Sequence, residues 1–377
     1  MWKVPLFDLS FDKRESDAVN AVLASKWLSA GQQTALFEKK FGEYLGEGVS
    51  CVAVANCTAA LHLALLASDI KQGDEVIVSG LTFVAAVNVV SMVGAKPVLT
   101  DSTSLEDWNV NPADIEAKIT KRTKAIIVVH FAGYPCDMDS ILALSKNHDL
   151  LLIEDVAHAV GAEYNGKRCG TLGDISCFSF FSNKNLSTGE GGMLVTKDPK
   201  TDQQVRLLRS HGMTSMTVER HEGKVISYDV VRPGLNYRMD EIRSAIGLVQ
   251  LEKLDNSNLK RKVLVEKYQE ELSGVKELVI PWSKPSSKIL SSYHIFPILL
   301  PKNTDRTDVI TKLKDKGIQT SIHYPAFNKF KYYLADGSGA LPLADEISER
   351  GLTLPLYPGM TFENINFVSS ELKELVS

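Results

Sequence analysis

Short apolar runs alternate along the first 155 residues with stretches of helical pattern, and this alternation constrains the fold more than any other feature. The runs are V-I-V at 76–78, P-V-L-T at 97–100, A-I-I-V-V-H at 125–130 and L-L-L-I-E-D at 150–155; helical patterns lie between them at about 82–93, 112–119 and 138–148. Strands apolar on consecutive positions must be covered on both faces, and helices in the connections supply that cover. The pattern therefore predicts an α/β fold built on a mostly parallel sheet. In such folds ligands gather at the carboxyl ends of the strands.

Beyond Asp240 the pattern changes to one long helical stretch, with Ile242, Ala245, Ile246, Val249, Leu251 and Leu254 forming its apolar face. A strand follows from about 290 (Y-H-I-F-P-I-L-L), then a helix over 305–316, the loop I-H-Y-P at 322–325 and a further helix from about 343. This order predicts a large domain over 1–250, preceded by an N-terminal arm, and a smaller α+β domain over 251–377. Hydrophobic content of 44% beside 23% charged residues is that of a soluble globular chain. A net charge of -4 argues against a nucleic-acid surface, and no apolar run reaches the roughly 20 residues of a membrane helix. The five cysteines are odd in number and lack CxxC spacing, so they read as reduced thiols with no metal site. The first ten residues lack a signal-peptide core, so the expected location is cytoplasmic.

Four local features carry possible chemistry. In V-A-N-C-T-A-A-L-H-L-A-L-L at 54–66 an apolar helix starts just after Asn56 to Thr58, presenting free N–H groups and the Thr58 hydroxyl to an anion; plain N-capping is the alternative. Asp155 ends the strand L-L-L-I-E-D, where a buried carboxylate calls for a cation such as a pyridinium nitrogen, and His158 lies one helical turn further on. Alternatively, Asp155 caps a following helix. Ser179 stands on the apolar segment five residues before Lys184, and Lys184 precedes the glycine-rich S-T-G-E-G-G. A lysine there is either solvated or held as a nucleophilic amine of lowered pKa. Neither G-x-G-x-x-G nor G-x-x-x-x-G-K-[ST] occurs. An anion cup, an acid, a hydroxyl and a lysine are together the parts a pyridoxal phosphate site needs.

These segments resemble the DegT/DnrJ/EryC1/StrS family of sugar aminotransferases, on the type I aspartate-aminotransferase fold. The likeness runs through W-L-S-A-G at 27–31, N-C-T-A-A-L-H-L-A-L at 56–65, G-D-E-V-I-V at 73–78, L-T-F-V-A at 81–85 and I-E-D-V-A-H-A-V-G-A at 153–162. It continues through G-D-I-S-C-F-S-F-F-S-N-K-N-L-S-T-G-E-G-G at 173–192, L-N-Y-R-M-D-E at 235–241 and H-Y-P at 323–325. By position, the resemblance implies that Lys184 is the lysine that forms the internal aldimine with pyridoxal 5′-phosphate and that Asp155 partners the pyridine nitrogen. It implies further that Ser179, Thr58 and the Ala59 amide hold the phosphate, that Phe83 stacks on the ring and that His158 lies near the ring hydroxyl. Asn236 matches an asparagine reaching the phosphate from a neighbouring subunit, which implies a homodimer with shared active sites. His323 and Tyr324 would face the sugar. The family's usual N-G-T is N-C-T here, with Cys57 replacing glycine, and Lys184 separates the chain from the branch of sugar dehydratases that carries histidine instead.

The activity so implied takes the amino group from L-glutamate, giving 2-oxoglutarate, and passes it to the ketone of a nucleotide-linked keto-deoxy sugar, at C4 or alternatively at C3 or on a cyclitol. A regulator that has kept the fold is the competing non-enzymatic reading, and a plain amino-acid aminotransferase the competing enzymatic one. Against the latter, no arginine stands within 322–330. Substrate choice is expected to lie with Trp27–Gly31, the 213–232 segment and His323.

Overall fold

The computed structural model describes residues 2–215, 227–333 and 339–376. Of the 213–232 segment expected to shape the sugar pocket, residues 216–226 lie outside the described residues. The chain opens with α1 (Lys13–Ser25), α2 (Gln32–Leu45), β1 (Ser50–Val54), α3 (Cys57–Ala67), β2 (Glu75–Ser79), α4 (Val84–Met92), β3 (Lys96–Thr100), α5 (Pro112–Lys118), β4 (Thr123–Val129), α6 (Met138–Asn147) and β5 (Leu151–Asp155). It continues with the short β6 (Glu163–Tyr164) and β7 (Lys167–Arg168), then β8 (Ile175–Ser179), β9 (Gly192–Thr196), α7 (Pro199–Arg209) and α8 (Glu241–Leu272). The remainder is β10 (Ile289–Leu290), β11 (Phe296–Leu299), α9 (Arg306–Asp315), α10 (Pro342–Arg350), β12 (Gly351–Leu354) and α11 (Phe362–Val376).

Among the described residues the main sheet has seven strands in the order β1-β9-β8-β5-β4-β2-β3. β2 through β5 and β8 pair in parallel, and β9 lies antiparallel between β8 and β1. The mostly parallel α/β architecture expected from the apolar runs is therefore the one observed. Val76, Ile77 and Val78, like Ile126, Ile127 and Val128, are buried on consecutive positions because both sheet faces are covered. α3 is buried nearly all round, with Ala60, Leu61, Leu63, Ala64 and Leu65 inaccessible, as a helix apolar on every side must be.

Two further features bear on the site. Glu241, at the start of α8, accepts from the amides of Gly31, Gln33 and Thr34 at 2.9, 2.8 and 2.8 Å, satisfying the first turn of α2 with a charge-assisted cap. α8 then runs unbroken for 32 residues. Its early residues Leu248, Leu251 and Leu254 pack in a core with Phe37 and Phe41 of α2, whereas Leu264, Val265, Tyr268 and Leu272 belong to a second core with β11, β12, α9 and α11. No helix among the described residues is long and apolar enough to cross a membrane.

The segment V-A-H-A-V-G-A after Asp155 has helical composition but folds as turns. Its backbone donors are taken elsewhere: Val156 N–H donates to Cys177 O at 2.8 Å and Ala157 N–H to Asp155 Oδ1 at 3.0 Å. Likewise the strand expected from 290 begins only at Phe296, after Tyr293 adopts a φ of 51°.

Candidate active site

The carboxyl ends of β1, β5 and β8 lead directly to three of the candidate residues. Ser179 is the last residue of β8, opposite Gly192 of β9. A side chain at Gly192 would lie 2.5 Å from the Asn56 carbonyl carbon, so the glycine lets β9 press against the start of α3. Asn56 caps that helix: its Oδ1 accepts from Ala59 N–H at 2.8 Å, so here the Ala59 amide serves the cap. The amides of Cys57 and Thr58 precede the first intrahelical bond, from Ala60 N–H to Asn56 O at 3.2 Å, and the half-buried Thr58 adds a hydroxyl to the same helix end. Cys57 occupies an ordinary helical position without a positive φ, which explains why a residue other than glycine is accepted there.

Asp155 is buried at the end of β5 and has no ion-pair partner among the described residues. Its Oδ1 accepts from Ala157 N–H, and the Cys57 thiol lies 3.9 Å from the same oxygen. Burial pushes the carboxyl above its usual range, an effect the Ala157 amide and the Lys184 charge only partly oppose. Such a group is set to receive a cation.

Lys184 projects from the loop between β8 and β9, its backbone N–H bonded to Phe181 O at 2.9 Å. The residue as a whole is half-buried, yet desolvation of the amine brings its pKa down to about 8, with Asp155 and Cys57 pulling the other way. The amine meets His294 Nε2 at 3.3 Å. His294 Nδ1 in turn lies 3.0 Å from Asn185 Oδ1. Neither His294 nor Asn185 stood out in the sequence. His294 sits in an apolar run read as strand, and only the turn at Tyr293 brings it to the lysine.

His158 is buried beside these groups, its ring 4.5 Å from that of His294. Its Nδ1 accepts from Ala132 N–H at 3.3 Å, so the hydrogen is on Nε2, which donates to the Tyr324 hydroxyl at 3.0 Å. Burial holds His158 well below its ordinary pKa and keeps it neutral. Tyr324 also packs against Phe83, with ring centroids 5.7 Å apart, and Phe83 is 55% exposed at the start of α4. An aromatic ring left that open beside a buried cluster is free to stack on a ligand. His323 donates or accepts at Nδ1 with the Thr353 hydroxyl at 2.9 Å, and burial brings its pKa down to about 4. Lys184, Asp155, Cys57, His158, His294, His323 and Tyr324 thus form one connected group.

Asn236 stands apart from it. It is exposed and bridges to Ser210, while its neighbour Tyr237 accepts from Ala55 N–H at 2.8 Å and meets His62 Nδ1 through its hydroxyl at 3.2 Å. None of these contacts reaches Lys184 or Asp155 within the chain.

Glu154 points to the opposite face of β5 from Asp155, as alternation along a strand requires. It is fully buried and accepts from His130 Nε2 at 3.0 Å, from the amides of Gly170, Leu172 and Gly173, and from the Ser176 hydroxyl. Ligand atoms of His130, Glu154 and Cys169 lie within 4.8 Å of one another. His130 Nδ1 already accepts from Cys136 N–H at 3.1 Å, and Glu154 is saturated with donors, so the set is a hydrogen-bonded strut beneath the site.

Comparison with known proteins adds the family. The model of the DegT/DnrJ/EryC1/StrS aminotransferase family matches residues 10–373. The chain is 38% identical to the spore coat polysaccharide biosynthesis protein SpsC of Bacillus subtilis, over 97% of this chain and 95% of that one. It is 37% identical to the GDP-perosamine synthase of Escherichia coli O157:H7, over 99% of each. Among solved structures, DesV of S. venezuelae in complex with a ketimine intermediate superposes with a TM-score of 0.91 at 31% identity, covering 100% of this chain and 99% of that one.

Proposed function

Because this chain belongs to the DegT/DnrJ/EryC1/StrS aminotransferase family, we propose that it transfers the amino group of L-glutamate to C4 of a nucleotide-linked keto-deoxy sugar. It is an aminotransferase, and its cofactor is pyridoxal 5′-phosphate. The residues fit that group by their own chemistry: an amine of pKa about 8 shares one cleft with a buried carboxyl that has no ion-pair partner among the described residues. This pairing of Lys184 with Asp155 is the observation that carries the reading. When bound, the cofactor supplies an electron sink for the carbon that loses its proton.

The chain's own residues do the rest. The Lys184 amine, neutral in a useful fraction near pH 8, would take the proton from the donor Cα in the first half-reaction and deliver one to the acceptor carbon in the second. Asp155 holds a proton on the pyridine nitrogen. Thr58, Ala59 and Ser179 would hold the phosphate and Phe83 would cover the ring. His158, neutral and fixed in one tautomer, would stand near the ring hydroxyl without adding a charge there. His323 and Tyr324 face the sugar. Asn236 would serve the site of a second copy in a homodimer with shared active sites, a role supported by its exposure and by its lack of contact with its own chain's Lys184 among the described residues. The same reading divides the chain into a cofactor-binding part, 1–250, and a smaller part, 251–377, and sets the enzyme in the cytoplasm.

A nucleotide sugar as acceptor is supported by the relative that is a GDP-perosamine synthase and by the one named for coat polysaccharide biosynthesis. The test is to incubate the glutamate-treated enzyme with nucleotide-linked 4-keto and 3-keto sugars and with a cyclitol ketone, and to identify the amine formed. A 4-amino product upholds the proposal. Amination only at C3 or on the cyclitol overturns the C4 assignment, and reaction only with amino-acid ketones overturns the sugar reading.

A further inference from the structure

Lys184 is held by a relay of side chains whose hydrogens are fixed by the backbone. Asn258, on α8, donates from Nδ2 to Val160 O at 3.1 Å, so its Oδ1 faces Asn185. Asn185 donates from Nδ2 both to that oxygen and to Ser292 O, each at 2.7 Å. Both amide hydrogens of Asn185 are thereby spent on groups that only accept, and its Oδ1 is left to face His294 Nδ1 at 3.0 Å. Turning either amide over would set oxygen against oxygen. The nitrogen His294 offers Asn185 must therefore carry the hydrogen, and Nε2, 3.3 Å from the Lys184 amine, is a bare acceptor.

The frame around this relay is closely fitted. A side chain at Gly161 would come within 2.6 Å of the Asn258 amide nitrogen, and that glycine holds a φ of +86°. His294 is itself fixed through its backbone, with N–H donating to Ala132 O at 2.9 Å and O accepting from Arg261 Nη1 at 3.1 Å. Asn185, Asn258 and His294 are all buried. The charged and titratable groups facing His294 are Lys184, His158, Arg261 and His323, and burial together with the first of these keeps the imidazole neutral.

We propose that His294 is a positioning residue for the amine of Lys184: held as the Nδ1–H tautomer by Asn185 and Asn258, it accepts a hydrogen bond from Lys184 at Nε2. It parks the amine in the cleft whenever the amine is free and favours its charged form over its neutral one. The role rests on the aminotransferase reading, since only a lysine that is repeatedly freed needs a resting partner. An accepting nitrogen stabilises an ammonium more than an amine, so the contact sets how much neutral amine exists at a given pH.

The test uses the full chain freed of cofactor, acetylated with acetic anhydride in short pulses across pH and read at Lys184 by peptide mass spectrometry. Wild type should give a midpoint near the value of about 8. His294→Leu should lower that midpoint by about one pH unit, the scale of a lost charge-assisted hydrogen bond, whereas His294→Gln, whose side-chain oxygen replaces the acceptor, should restore most of the shift. A wild-type-like midpoint in His294→Leu, or an equal shift in both variants, overturns the proposal. Nitrogen NMR of histidine-labelled wild type is independent of any variant's folding: His294 found with its hydrogen on Nε2 also overturns it. Loss of the aminotransferase reading would show separately, as wild type that takes up no pyridoxal phosphate while these midpoints stand.

Discussion

His158 donates from Nε2 to the hydroxyl of Tyr324 at 3.0 Å, and this bond ties the turn after β5 to the loop before α10. The first residue belongs to the large sheet's edge of the cleft, the second to the side expected to meet the sugar. Tyr324→Phe removes the bond and keeps the ring packing on Phe83 and Phe131. A bond of this kind contributes about 1 kcal/mol. Steady-state kinetics should show kcat/KM for the keto sugar falling by roughly fivefold, with the glutamate half-reaction nearly unchanged; an equal loss in both would place Tyr324 outside sugar recognition.

Lys184→Ala removes the amine on which the chemistry depends. Wild type mixed with pyridoxal phosphate should gain absorbance near the edge of the visible range and lose it on adding glutamate. The alanine variant should show neither change, and turnover should fall by at least about a thousandfold, or roughly 4 kcal/mol of barrier.

The lowered pKa of Lys184 fixes the pH at which cofactor is captured. An ordinary lysine amine becomes neutral only around pH 10.4, whereas this one does so around 8. Stopped-flow measurement should show the capture rate rising between about pH 7 and 9 and then levelling. A rate still climbing steeply above that range would mean the amine is solvated.

Asp155→Asn separates function from stability. The folded carboxyl has a raised pKa, so its charged form penalises the cofactor-free fold, and the penalty is present at neutral pH and fades as pH falls through the folded value. The cofactor-free asparagine variant should therefore melt at least as high as wild type at neutral pH, the difference closing on acidification. Activity should move the other way, down by about a hundredfold or more. Calorimetry across pH and steady-state assays read the two effects.

Gly192→Ala places a methyl carbon 2.5 Å from the Asn56 carbonyl carbon. Overpacking of this kind costs about 1–3 kcal/mol. Because the strain falls on the start of α3, affinity for pyridoxal phosphate should weaken together with the denaturation midpoint, and free phosphate should compete less well in the variant.

Much of this was legible along the chain. The apolar runs became strands within a residue or two of the expected limits because consecutive burial leaves a sheet covered on both faces little freedom. Asp155 stood out because a carboxylate at the end of such a strand has no cheap place to go. What could not be read was set by distant parts of the chain. His294 lies 110 residues beyond Lys184 and looks like part of a strand until the Tyr293 turn is seen. Ala159, Val160 and their neighbours have helical composition, yet the sheet and Asp155 claim the backbone donors a helix would need. Glu154 and Asp155 are adjacent in sequence and alike in type; only the two sheet faces tell strut from reactive carboxyl.

The unbroken α8 has a mechanical consequence. A rod of 32 residues, about 48 Å long, is clamped by Glu241 to α2 at one end and embedded in the second core at the other. It carries Asn258 and Arg261 between those clamps, where they touch Asn185 and the carbonyl of His294. The shaft thus joins the capped start of α2 to the second core through a stretch that lies two side chains from the Lys184 amine.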